Sequence, residues 1–384
     1  MDKVKLKHLR SKGIAGIKDS KFQSDVIPAW IADMSFDIAP VIKAGLIEMV
    51  ENSVCGYPQT PYDLGLHEIF KSYVCGRYDW QIKSEDVAFL KDVVQGICRC
   101  IYSFTDVNDH ILIQPPVYQP FHSLVKLTNR QLLVNPLVKS DNRYQIDFAD
   151  FESKAKKAKL FIFCNPQNPT GRVYSRHELN RLAELCVANN LIVVSDEIHA
   201  DLVLEPKPHI PLSSLNLDIA ERTITLMSAS KAYNIAGTSL AFAYLPNKKL
   251  QKLFNAKAEA IYGNHNILAL HAVKIAMTEG ESWLKKILAI LRGNRLFLEK
   301  YILENWVDVE YLPGEGTYLA WLDCREIQGS SMLPSKLLAQ SRVAVTDGSD
   351  FGYGGQGFIR LNFARNRDEL ISIIQRMDKV MKAN

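Results

Sequence analysis

Three polar clusters hold the side chains best suited to chemistry: Asn-Pro-Gln-Asn-Pro-Thr-Gly at 165–171, Ser-Asp-Glu-Ile-His at 195–199, and Ser-Ala-Ser-Lys-Ala-Tyr-Asn-Ile-Ala-Gly at 228–237. Lys231 is the central residue. A lysine amine can form an imine with an aldehyde once it has lost its proton, and a serine-rich turn beside a cationic group favours that loss. Most lysines are solvated surface charges, and a Ser-Lys pair after an apolar run is often only a helix start. Lys231 alone therefore establishes nothing; its company does.

Each cluster follows a short apolar run: Leu160–Cys164, then 191–194, then Thr223–Met227. Such runs read as buried strands of a parallel sheet. Ligands of open α/β sheets bind beyond the carboxyl ends of the strands, so three polar clusters at three such ends would meet in one crevice. An aldehyde cofactor carrying a phosphate, pyridoxal 5′-phosphate, is what this set of groups reads as.

At 384 residues the chain exceeds what one hydrophobic core usually organises, so two domains sharing a cleft are expected. A formal net charge of +4 and 47% apolar residues describe a soluble globule without a basic face for nucleic acid. Lys3, Lys5, Lys7 and Lys12 begin a solvated arm that no signal-like apolar core follows, and no stretch is long and apolar enough to span a bilayer. A cytoplasmic location is expected. The seven cysteines are odd in number and lack zinc spacing, and the nine histidines lack it too, so reduced thiols and no metal site are expected.

Residues 39–52 have helical periodicity and 56–61 are turn-rich. From about 85 to 245 strand and helix signals alternate, with strands at 110–116 and 239–245 and a helix at 175–189. That alternation predicts a large α/β domain with a mostly parallel, doubly wound sheet. After 256 the pattern turns helical, and mixed strands and helices then resume. The expected division is an N-terminal arm at 1–42, a large domain at 43–284 and a small α+β domain at 285–384 that packs with the arm. The run Gly352-Tyr353-Gly354-Gly355-Gln356-Gly357 precedes a strand, whereas a dinucleotide loop follows one, so it reads as a flexible loop.

Further motifs are Ile31-Ala32-Asp33-Met34, Gly56-Tyr57, Pro115-Pro116-Val117-Tyr118, Tyr318-Leu319-Ala320-Trp321-Leu322-Asp323 and Phe358-Ile359-Arg360-Leu361-Asn362. With the three clusters, they make the chain resemble, over nearly its whole length, the fold-type-I pyridoxal-phosphate enzymes of the class I/II aminotransferase superfamily. The resemblance is strongest to the MalY/PatB type of cystathionine (cysteine-S-conjugate) β-lyase.

The resemblance implies a role for each matching residue. Lys231 would hold the cofactor aldehyde covalently and then act as base at the substrate α-carbon. Asp196 would pair with the pyridine nitrogen, although an acid at a strand end can also cap the next helix. Asn168 would donate to the ring's phenolic oxygen, Tyr118 would stack on the ring, and His199 would be a further cofactor contact. Asn168-Pro169 is a candidate cis bond. Ser228, Ser230 and backbone N–H groups near Val93 would hold the phosphate. Tyr57 would reach the phosphate of a neighbouring subunit, implying a homodimer with active sites at the interface; a surface loop tyrosine is the other reading. Arg360 would grip the substrate carboxylate, with a structural salt bridge as its competitor. Ala32 would belong to a mobile lid at 32–34.

Two departures from the wider superfamily, Ser239 in place of an arginine eight residues after the lysine and His199 in place of a tyrosine, agree with the β-lyase branch. Lys91-Asp92 does not: a carboxylate beside a phosphate repels it unless Asp92 turns to cap the helix. The implied reaction is α,β-elimination from cystathionine or another cysteine S-conjugate, giving a thiol, pyruvate and ammonia. An aminotransferase using the same lysine is the alternative, and a cofactor-binding regulator without turnover is the third reading.

Overall fold

The computed structural model describes residues 16–256 and 264–382. The basic arm expected around Lys3, Lys5, Lys7 and Lys12 lies outside them. The apolar runs flagged in the sequence become strands Leu160–Cys164, Ile192–Asp196 and Thr223–Met227, buried on both faces apart from Ile192 at the start of the second. They form the centre of a seven-stranded sheet, with His110–Ile113 and Gln131–Val134 on one side and Ala241–Tyr244 and Val87–Leu90 on the other. Pairing is parallel except around Ala241–Tyr244, which runs antiparallel to both neighbours.

Strand and helix ends follow local chemistry. The strand expected over 110–116 stops at Ile113, short of Pro115 and Pro116, because prolines cannot donate to a ladder. The helix Arg176–Ala188 opens on a capping box in which Ser175 and Glu178 exchange hydrogen bonds. Pro40–Glu51 is the helix expected near 39–52.

A four-stranded antiparallel sheet, in the order Glu310–Tyr311, Leu319–Asp323, Phe358–Asn362, Thr346–Asp347, belongs to the C-terminal part. The arm joins it: Ile27–Pro28 pairs in parallel with Val343–Ala344, and Arg342 forms a two-point ion pair with Asp25. The 25-residue helix Glu281–Asn305 runs unbroken through residue 284, and one apolar core continues on both sides of it.

The glycine-rich turn at 352–357 is more tightly packed than a flexible loop. A side chain at Gly352, whose φ is 83°, would strike the His122 ring, and Phe351 O accepts from Val117 N at 3.0 Å. All seven cysteines are free thiols. Among the described residues, no helix is long and apolar enough to cross a membrane.

Candidate active site

Strand register brings the three clusters level. Cys164, Asp196 and Leu226 stand side by side, and the ladder runs one residue further through Asn165 N to Asp196 O at 3.0 Å and Glu197 N to Leu226 O at 2.9 Å. Beyond these ends lies a cavity of 250 Å³. Lys231, Asp196, Asn168 and His199 line it, as do Tyr118, Ser230 and Val93; Arg360, Ala32 and Asp92 are also in the wall.

Lys231 Nζ donates to Ala32 O at 2.9 Å. Burial lowers its proton affinity and Arg360 adds to that, while Asp33 and Asp196 partly oppose it. The amine is thus biased toward its nucleophilic form. Asp196 is shifted the other way, its carboxyl pushed up to about 7, chiefly by burial, with Glu197 adding and the Ile198 amide and Lys231 opposing. Its Oδ1 accepts from Ile198 N at 3.1 Å, and no cationic side chain pairs with it among the described residues. A buried carboxylate so placed suits a cationic ring N–H.

Arg360 enters from strand Phe358–Asn362 and is buried. It donates to Asn168 Oδ1 at 3.1 Å, Trp30 O at 2.7 Å and Thr346 Oγ1 at 3.2 Å, and its guanidinium lies 4.9 Å from the centre of the Phe351 ring. These acceptors are all neutral, and burial pulls its pKa down to about 10. The salt-bridge reading therefore finds no partner among the described residues, and the fork suits an incoming carboxylate. Because Asn168 accepts through Oδ1, its amide hydrogens stay available to a ring oxygen. The bond from Asn168 to Pro169 is cis, as are those preceding Pro116 and Pro166.

Burial, with Lys231 and Arg360 nearby, holds the His199 pKa down to about 3, so its ring is neutral. It packs edge-on against Tyr318 at 6.3 Å. Burial raises the Tyr118 pKa, keeping its hydroxyl protonated beside the cavity.

Where the resemblance would place a phosphate, helix Val93–Phe104 points its N-terminus at the cavity, and the first N–H groups of a helix lack partners within it. Asp92 does cap this helix: Oδ1 accepts from Gln95 N at 2.7 Å, and Gln95 Oε1 accepts from Lys91 N at 3.1 Å. One sequence expectation changes. Ser228 does not line the cavity; its hydroxyl donates to Leu240 O at 2.7 Å and accepts from Ser230 N at 3.1 Å. A hydroxyl has one hydrogen to give, so Ser228 braces the turn and leaves the cavity wall to Ser230. Tyr57, 96% exposed, does not line the cavity within one chain, and exposed Ser239 is left-handed at φ 58°.

Sequence reasoning assigned no role to Asn234, Trp30 or Asn362. Asn234, left-handed at φ 58°, accepts from Met34 N at 3.0 Å and donates to Phe36 O at 2.8 Å. Asn362 donates to Ile31 O and Asp33 O, so the segment at 30–36 is fastened from both sides. An asparagine just after the lysine turn was the available signal, since Asn tolerates that conformation.

This fold and cavity define a class, and the chain belongs to it: the family Aminotransferase class I and II matches residues 32–377. Among its relatives, Cystathionine beta-lyase PatB of Bacillus subtilis (strain 168) is 35% identical over 347 residues, covering 88% of each chain. Cystalysin from Treponema denticola, which contains a pyridoxal 5′-phosphate cofactor, superposes with a TM-score of 0.91 at 27% identity, over 97% of this chain and 96% of that one. The pyridoxal-phosphate-bound C-S lyase from Staphylococcus hominis gives 0.88 at 27%, over 96% of each.

Proposed function

We propose that this chain is a pyridoxal-phosphate-dependent carbon–sulfur β-lyase that cleaves cystathionine or related cysteine S-conjugates to a thiol, pyruvate and ammonia. The observation that carries the reading is one cavity holding a half-buried amine, a buried carboxylate and a buried guanidinium, the last two without an oppositely charged ion-pair partner among the described residues. The relatives named as lyases support the same chemistry.

Bound pyridoxal phosphate supplies an electron sink for the α-carbon of an attached amino acid. Asp196 would keep a proton on its ring nitrogen, Asn168 would donate to its phenolic oxygen, and Tyr118 and His199 would flank its ring. Ser230 and the first N–H groups of helix Val93–Phe104 would hold its phosphate. Arg360 takes the substrate α-carboxylate through two parallel hydrogen bonds, which fixes the α-hydrogen relative to Lys231. Lys231, held by Ala32 O, removes that hydrogen as a neutral amine. The thiolate then leaves from the β-carbon, and water converts the released aminoacrylate to pyruvate and ammonia.

Assembly as a homodimer would bring Tyr57 to a neighbouring cavity. Its full exposure, with Ile47, Val50 and Val54 also exposed nearby in sequence, supports this. A cytoplasmic location, and a division into an arm at 1–42, a large domain at 43–284 and a small domain at 285–384, complete the reading.

The test is incubation of the loaded protein with L-cystathionine, without and with a keto acid. Pyruvate and free thiol without the keto acid are expected. The family name keeps the aminotransferase as a second reading, and product formed only when a keto acid is present would establish it instead.

A further inference from the structure

A second ionisable cluster sits directly behind Asp196. Alternate side chains of a strand point to opposite faces, so Asp196 faces the cavity while Ser195 and Glu197 face the layer beneath. Glu197 there meets three donors: the Ser195 hydroxyl at 2.7 Å, the Leu212 amide at 3.1 Å and His209 Nε2 at 2.6 Å. The Glu197 and His209 side chains are both fully buried.

Two of these donors reach Oε1 and the third reaches Oε2, so both carboxyl oxygens are engaged. Among the described residues, His209 Nδ1 has no hydrogen-bond partner. A buried N–H without an acceptor is costly, which places the ring hydrogen that meets Glu197 on Nε2. Glu197, on the face opposite Asp196, adds to the proton affinity of Asp196. The other groups facing Asp196 are Lys231, Tyr118 and Cys164. Tyr78 also faces Glu197 and packs edge-on against His209 at 5.7 Å.

We propose that Glu197 is a positioning residue for the ring-nitrogen proton of bound pyridoxal phosphate: the carboxyl group that three donors hold in place behind Asp196 makes Asp196 a stronger acceptor for the proton. Glu197 touches neither cofactor nor substrate and acts through Asp196. The inference rests on Asp196 being the ring-nitrogen partner, as proposed above.

The experiment loads wild type, Glu197→Gln, His209→Gln and Asp196→Asn with cofactor carrying 15N in the ring and follows the 15N shift against pH, with circular dichroism melts as the folding control. Glutamine at 197 accepts from Ser195 and Leu212 as glutamate does, and its amide can donate to the His209 ring. Glu197→Gln is expected to lose the ring proton about one pH unit below wild type. His209→Gln, which keeps a donor toward Glu197, is expected to titrate as wild type does. An unshifted Glu197→Gln curve overturns the proposal. So does an upward shift in His209→Gln, because His209 would then have been charged and the cluster neutral. The His209→Gln curve decides by itself should Glu197→Gln not fold. A ring nitrogen unaffected by Asp196→Asn instead refutes the assignment of Asp196, whereas its loss there beside an unshifted Glu197→Gln refutes this inference alone.

Discussion

Replacing Arg360 with methionine separates a substrate-binding role from a structural one, because the two roles predict opposite balances of stability and affinity. Arg360 donates three hydrogen bonds within the chain, all to neutral acceptors, and lies over Phe351. Losing bonds from a charged donor costs about 1.5–3 kcal/mol each. Removing a buried cation that has no anionic partner returns several kcal/mol of desolvation. The terms offset, so a methionine that fills the same volume should change cofactor-free stability by no more than about 1 kcal/mol. Binding has no such offset. Two charge-assisted bonds to the substrate carboxylate disappear, about 3–6 kcal/mol together, which corresponds to roughly a hundredfold to ten-thousandfold loss in kcat/KM. Pyruvate release measured against substrate concentration gives that ratio, and urea melts give the stability. The visible absorbance of the bound cofactor should not move. A variant destabilised by about 3 kcal/mol or more with kcat/KM nearly intact would show that Arg360 holds the fold and that another group takes the carboxylate.

Lys231→Ala should lose turnover by about a thousandfold or more. Mass spectrometry after borohydride reduction should then find no cofactor attached to the chain, and an adduct at full yield would mean another lysine is the anchor. In the cofactor-free protein the Asp196 carboxyl titrates near 7 instead of 3.8. A raised carboxylate contributes stability that is full below its ordinary value and lost as pH rises through its folded one. Urea melts should thus weaken from pH 4 toward 7 by an amount on the order of 4 kcal/mol, and Asp196→Asn should flatten that limb; an unchanged limb would clear Asp196 as its source. Ser228→Ala removes two hydrogen bonds, one buried and one partly buried, so it should cost about 1–3 kcal/mol in a thermal melt while cofactor affinity changes less than threefold. A large affinity loss at unchanged stability would return Ser228 to the phosphate.

Fold class and cavity were legible in the sequence because both depend on local pattern. Continuous apolar runs marked the central strands to within two residues, and the polar residues just after them had to lie at strand ends. Asp92 was legible as a cap because an acid one residue before a helix has N–H groups to accept from. The direction of a single hydroxyl is not a pattern property. Ser228 and Ser230 look alike in sequence, and only the packing of Leu240 against the turn separates brace from wall. Asn362 and Trp30 escaped for a related reason: their partners lie far along the chain, and spacing says nothing about contacts between distant segments.

The fastening of residues 30–36 bears on the order in which the molecule assembles. Met34 and Asn234 are 200 residues apart, and Trp30 and Arg360 are 330 apart. This stretch leaves the ribosome early, yet its long-range partners Asn234, Arg360 and Asn362 follow 200 to 331 residues later. Contacts of such long sequence separation form late and slow a fold down. The large sheet can therefore arise before its catalytic wall exists, and a nascent chain halted before the last strands would carry Lys231 on a sheet end still open to water.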